Sequence, residues 1–257
     1  MDDKRKGIYI LPNLFTTAAL FAGFYAIVQG MKGNDGHAAV AVFIAMVMDG
    51  LDGRVARWTH TESDFGAQYD SLSDMVSFGL APALVIYEWA LSGFGKLGWL
   101  AAFVYSAAAA LRLARFNIEN HADRRLSFHG LPSPAAAAVV TGLVWTLHEH
   151  GPPSPAVRDI ALAVTILIGA AMVSNIRYHS FKHIDLKGRV PFIAVLAVVL
   201  TFVLISLDPA RVLFALFFCY ALSGPVNAVV RRYRRRMLRQ RQSEASGDPS
   251  QPPPGRL

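Results

Sequence analysis

The chain has one cysteine, Cys219, so it can form no internal disulfide, and that thiol reads as a small hydrophobe packed in an apolar run. Charge is sparse as well: 17% of residues are charged against 53% hydrophobic. With a positive mean hydropathy, that balance excludes an ordinary soluble domain and suits one helical membrane domain. No internal repeat is visible. No cleavage site follows the basic N-terminal stretch, so the first apolar run is expected to remain as a span.

What the chain does have is apolar stretches, at about 14–31, 38–57, 72–92, 97–115, 134–149, 157–175, 190–206 and 210–230. They predict an all-α polytopic membrane protein with about eight transmembrane helices. Several are rich in Ala, Gly and Val, as close helix packing in lipid requires. If both termini are cytoplasmic, nearly all the lysines and arginines fall on that side. Only Lys32, Lys96, Arg158 and Arg211 fall on the other, an asymmetry that predicts this orientation. The membrane domain is then residues 1–231. Residues 232–257 are a basic, largely disordered cytoplasmic tail whose arginines suit anionic lipid headgroups. No folded nucleic-acid reader accompanies them. Phe15, Phe21, Phe24 and Tyr25 read as lipid-facing or packing residues.

Against this apolar background, Asp49, Asp52, Asp70 and Asp74 stand out, with no matching lysines. On one helix Asp49, Asp52 and Ala56 share a face at i, i+3 and i+7; on the next, Gly66, Asp70 and Asp74 share one at i, i+4 and i+8. Turned together, these faces would place four carboxylates around one small volume. Carboxylates that close repel and are costly to bury, so cations must neutralise them. All-oxygen ligation favours Mg²⁺, Mn²⁺ or Ca²⁺ over Zn²⁺. Gly53, Ala56 and Gly66 leave room for a bulky group against the backbone, and Arg57 offers a fork for phosphate oxygens. The expected ligand is a metal-bound diphosphate. The second span runs from Ala38 to Asp49, roughly 17 Å at about 1.5 Å per residue, which puts the acids in the cytoplasmic half, open to the cytosol.

The segment from Asp49 to Asp74 resembles, at every fixed position, the signature of the CDP-alcohol phosphotransferases, D-x2-D-G-x2-A-R-x8-G-x3-D-x3-D. The resemblance implies two divalent metals on Asp49, Asp52, Asp70 and Asp74, CDP against Gly53, Ala56, Arg57 and Gly66, Asp74 as base, and a homodimer. Beyond the signature, residues 7–140 resemble the bacterial phosphatidylserine synthases of this superfamily. The blocks that carry this are 7–16, 69–79, 110–117 (Ala-Leu-Arg112-Leu-Ala-Arg115-Phe-Asn117) and 128–134 (Phe-His129-Gly-Leu-Pro-Ser-Pro). The implied reaction is CDP-diacylglycerol plus L-serine giving phosphatidylserine and CMP, at the bacterial cytoplasmic (inner) membrane. Metals, either Mg²⁺ or Mn²⁺, would neutralise the diphosphate while Asp74 takes the serine hydroxyl proton. No activated Ser or Cys accompanies the acids, so attack is expected to be direct.

Several residues keep two readings. Ser63 either bonds donor phosphate or ribose, or caps the following helix. Asn13 is a helix cap or, as the resemblance favours, a contact to the cytosine edge. Arg112 and Arg115 either grip the serine carboxylate or snorkel as anchors; Asn117 and His129 are weaker candidates for the same pocket. Glycerol 3-phosphate or an inositol phosphate is the alternative acceptor, though its phosphate would want a denser cation pocket. A divalent-cation transporter is the alternative class, opposed by the lack of a polar path through the outer half.

Overall fold

The computed structural model describes residues 3–122, 128–178 and 192–246; side chains are described for most, not all, of these. Helix α1 (Asp3–Met31) packs along most of its length on α2 (Asp35–Thr59). Helix α3 (Asp64–Asp74) passes without a break through a π-helical stretch (Met75–Leu80), α4 (Ala81–Ile86), a second π-helical stretch (Tyr87–Leu91) and a 3₁₀ turn. Helices α5 (Lys96–Ala122), α6 (Ser133–Leu147), α7 (Pro155–Val173), α8 (Phe192–Leu207) and α9 (Pro209–Ser246) follow. The described strands are only a two-residue antiparallel pair, β1 (Phe128–His129) with β2 (Arg177–Tyr178).

Five helical segments among the described residues are long and apolar enough to cross a membrane: Leu11–Met31, Asp64–Phe94, Lys96–Ile118, Pro155–Val173 and Pro209–Val230. This is a helical membrane protein. The expected second, fifth and seventh spans correspond to α2, α6 and α8, which are not among the five. Helices α6 and α8 have only 15 and 16 residues, and Asp49, Asp52, Arg54 and Arg57 crowd the last part of α2. The expected tail boundary at residue 231 falls inside α9, which stays helical to Ser246; residues 247–257 lie outside the described part.

The core explains the small-residue composition. Ala135 and Ala136 on α6 and Ala101, Ala102, Ala108 and Ala109 on α5 are buried around Tyr105, Leu131, Val139, Val140 and Met172, while Ala137 packs with Ala22, Ala26 and Ala41 of α1 and α2. Small side chains let backbones approach, which replaces the hydrophobic drive that lipid removes. One such case is Gly23 of α1, where any side chain would collide with Ser77. The same contact lets Ser77 Oγ donate to Ala19 O at 3.0 Å. Contrary to the packed-hydrophobe reading, Cys219 faces outward from α9 and is exposed, because the inner face there is taken by larger aromatics such as Phe214 and Phe218. Phe21 and Phe24 are also exposed on α1.

The two ends of the bundle separate cleanly. His148, after α6, packs on Gly36 at the start of α2, and Arg158 of α7 reaches Gly93. At the opposite end lie the α2–α3 turn, the C-terminal part of α5, and the β1–β2 pair. That second end carries the aspartates.

Candidate active site

Local sequence builds a tight return between α2 and α3. His60 adopts a left-handed conformation (φ 53°), and Thr61 N–H bonds Ala56 O at 3.0 Å, which terminates α2. Three residues later Ser63 caps α3, its Oγ accepting from Gly66 N–H at 3.1 Å. Of the two readings for Ser63, the capping one is thus seen directly; the hydroxyl proton stays free to donate. The return sets the acidic face of α3 against that of α2.

Ligand atoms of Asp49, Asp70 and Asp74 all lie within 4.8 Å of one another. This group could hold a metal ion. Asp52 sits beside Asp49 and Asp70 but is more buried, and its Oδ2 accepts from Thr16 Oγ at 2.8 Å. One atom tests the fit to a cation: Asp70 Oδ1 is buried with no hydrogen-bond partner. A buried carboxylate oxygen without a donor is costly unless a cation takes that place, so the donor set suits a hard, oxygen-seeking ion.

The residues expected to hold the nucleotide fall into two local groups. A Cβ at Gly66 would lie 3.2 Å from Ser63 Oγ and 3.5 Å from Asn13 Oδ1, while a Cβ at Gly53 would lie 3.5 Å from Arg57 Nη1. Asn13 is not a helix cap: α1 begins at Asp3, and Asn13 sits well inside it, its carbonyl accepting from Thr17. Ala56, Gly53 and Gly66 are half-buried and Arg57 is exposed.

The four acceptor-side residues separate. Arg112 reaches toward Asp74 and Tyr220, and its Nη1 donates to Ser133 Oγ at 2.8 Å. Its Nε is buried with no partner. Arg115 turns elsewhere, its Nη1 donating to Asn175 Oδ1 at 2.9 Å. Asn117 exchanges hydrogen bonds with Ser71 on α3, at 3.0 and 3.1 Å. His129 pairs in the β1–β2 ladder opposite Arg177, and its side chain lies outside the described residues. Thr16, Ser71, Ser133 and Asn175 were not singled out from sequence; Thr16, Ser71 and Ser133 lay within resembling blocks, whereas Asn175 carried no signal.

Comparison with known proteins follows the same framework. The family model described as CDP-alcohol phosphatidyltransferase matches residues 9–175. A CDP-diacylglycerol–serine O-phosphatidyltransferase of Helicobacter pylori (strain ATCC 700392 / 26695) is 35% identical over 215 residues, 84% of this chain and 90% of that one. The enzyme of the same name from Methanocaldococcus jannaschii is 35% identical over 190 residues, 73% of this chain and 82% of its own. That of Bacillus subtilis (strain 168) is 33% identical over 173 residues, 67% and 91%. With the carboxylate group, the small residues Gly53, Ala56 and Gly66 and the helices that carry them all inside the matched region, the chain belongs to the CDP-alcohol phosphatidyltransferase family.

Proposed function

We propose that this protein transfers the phosphatidyl group of CDP-diacylglycerol to the hydroxyl of L-serine, giving phosphatidylserine and CMP. The observation that carries the acceptor is the alignment along 84% of the chain with a relative named for that activity. The donor side rests on the carboxylate group and on Gly53, Ala56, Arg57 and Gly66 of the two helices that carry it.

In this reading Asn13, Gly53, Ala56, Arg57, Ser63 and Gly66 hold the CDP part, the small residues by letting it lie on the backbone and Arg57 by its fork. Asp49, Asp52, Asp70 and Asp74 would hold two divalent ions, Mg²⁺ or Mn²⁺. Bound there, they would neutralise the diphosphate and stabilise the departing CMP. Asp74, nearest the Arg112 side, takes the proton from the serine hydroxyl as its oxygen attacks phosphorus in line. The bond from phosphorus to the CMP oxygen breaks in the same displacement. Arg112 Nε, the unpaired donor beside Asp74, receives the serine carboxylate, and Ser133 fixes the guanidinium plane. Asn117 and Arg115 brace the acceptor side through Ser71 and Asn175.

We place eight spans in the bacterial cytoplasmic membrane, with both termini and the site on the cytosolic face, residues 1–231 as the membrane domain and a homodimer as the working unit. The alternation of helix ends and the distribution of basic residues support the spans and their orientation, and the homodimer rests on the family resemblance. The deciding experiment is CMP release by purified protein from CDP-diacylglycerol with serine, glycerol 3-phosphate or an inositol phosphate, with and without Mg²⁺ or Mn²⁺. Metal-dependent release with serine alone is expected. Release with a phosphorylated acceptor instead would overturn the serine assignment, and no release with any acceptor would favour a transporter.

A further inference from the structure

Asp74 closes α3, yet the helix beyond it is not α-helical. Met75–Leu80 is a π-helix, in which Ala81 N–H bonds Val76 O. The sequence supplies a cause in Pro82, at the start of α4. In an α-helical ladder residue 82 would donate to the carbonyl of residue 78, but proline has no N–H and its ring crowds that carbonyl. A wider turn relieves the crowding and leaves carbonyls that need donors from elsewhere.

Helix α5 provides them. Tyr105 Oη donates to Phe78 O at 3.0 Å and Ser106 Oγ donates to Gly79 O at 3.2 Å. Tyr105 is fully buried, so water cannot substitute, and an unmet carbonyl inside an apolar bundle is costly. Two glycines make room for the contact. A Cβ at Gly169 of α7 would lie 3.3 Å from Tyr105 Cα, and one at Gly79 would lie 3.3 Å from Ala109 Cβ. A lone π turn holds one residue more than the α turn it replaces. Converting it to α-helix would turn α3 relative to α4 by about one residue, roughly 100°. Asp70 and Asp74 could not then keep facing Asp49.

We infer that Tyr105 is a positioning residue for the carboxylate group, acting through the π turn that Pro82 opens. The role rests on the metal reading of Asp49, Asp70 and Asp74. The test is Mn²⁺ binding, followed by electron paramagnetic resonance on the full chain in nanodiscs without substrates. Tyr105→Phe keeps the ring and removes one buried hydrogen bond, and should weaken Mn²⁺ about tenfold. Pro82→Ala restores the α-ladder donor and should weaken Mn²⁺ in the same direction. Because both act on one turn, the double variant should be no weaker than the worse single one. Wild-type Mn²⁺ affinity in Tyr105→Phe, with only a lowered unfolding temperature, would reduce Tyr105 to packing. Should that variant fail to fold, unchanged affinity in Pro82→Ala overturns the inference equally. Absence of Mn²⁺ binding in the wild-type chain would overturn the metal reading itself and this role with it.

Discussion

At the scale of single residues, the division of labour between Asp74 and Arg112 is the point on which the mechanism turns. Asp74 belongs to the three-carboxylate group and is also the acid nearest Arg112, so it can both ligate and accept a proton. Asp74→Asn should leave CDP-diacylglycerol binding largely intact while the single-turnover rate falls about 10²–10⁴-fold, the usual worth of a positioned base. Lost binding with a retained rate would make Asp74 a ligand only. Arg112→Lys, assayed alongside, should raise the KM for serine more than that for CDP-diacylglycerol, because lysine lacks the bidentate fork. Arg115 has a settled partner in Asn175, so the same change there should not separate the two KM values.

Among elements, the α2–α3 return determines whether two acidic faces meet at all. Its cap can be tested apart from its chemistry. Ser63→Ala should cost about 1 kcal/mol of stability, read as a lower unfolding temperature, while Ser63→Thr should recover most of it. If Ser63 also donates to the nucleotide, Ser63→Ala alone should raise the KM for CDP-diacylglycerol. Much of this element was legible beforehand. Fixed spacing puts Asp49 and Asp70 on faces that a short return must oppose, and Ser63 stands where a cap belongs. The π turn was not legible, since Pro82 announces only that an α-ladder is interrupted; how the carbonyls are met depends on Tyr105 and Ser106 of another helix. Asp52 shows the same limit. Its i+3 spacing aligns it with Asp49, but the bond from Thr16 on α1 draws one of its oxygens aside. Arg112 and Arg115 looked equivalent from their spacing, and only the arrival of Ser133 and Asn175 tells them apart.

For the molecule as a whole, the proposed topology rests on the distribution of basic residues and the sorting of loops between two ends. In a Cys219→Ser background, single cysteines at Lys32 and Glu149 should react with an impermeant maleimide in intact cells. Cysteines at Glu62 and Ser246 should react only after the cells are opened. Any other pattern would remove the proposed orientation. The order of parts along the chain has a consequence for biosynthesis. The three clustered carboxylates come from α2 and α3, neighbours joined by four residues, 60–63. Arg112 arrives later on α5, and Ser133 later still on α6. A ribosome feeding the chain into the membrane therefore delivers the cation-holding half before anything that can select an acceptor. In that interval Arg112 has not yet reached Asp74, so on the metal reading a divalent ion would be what offsets the three acids, and early insertion of this chain would follow metal supply.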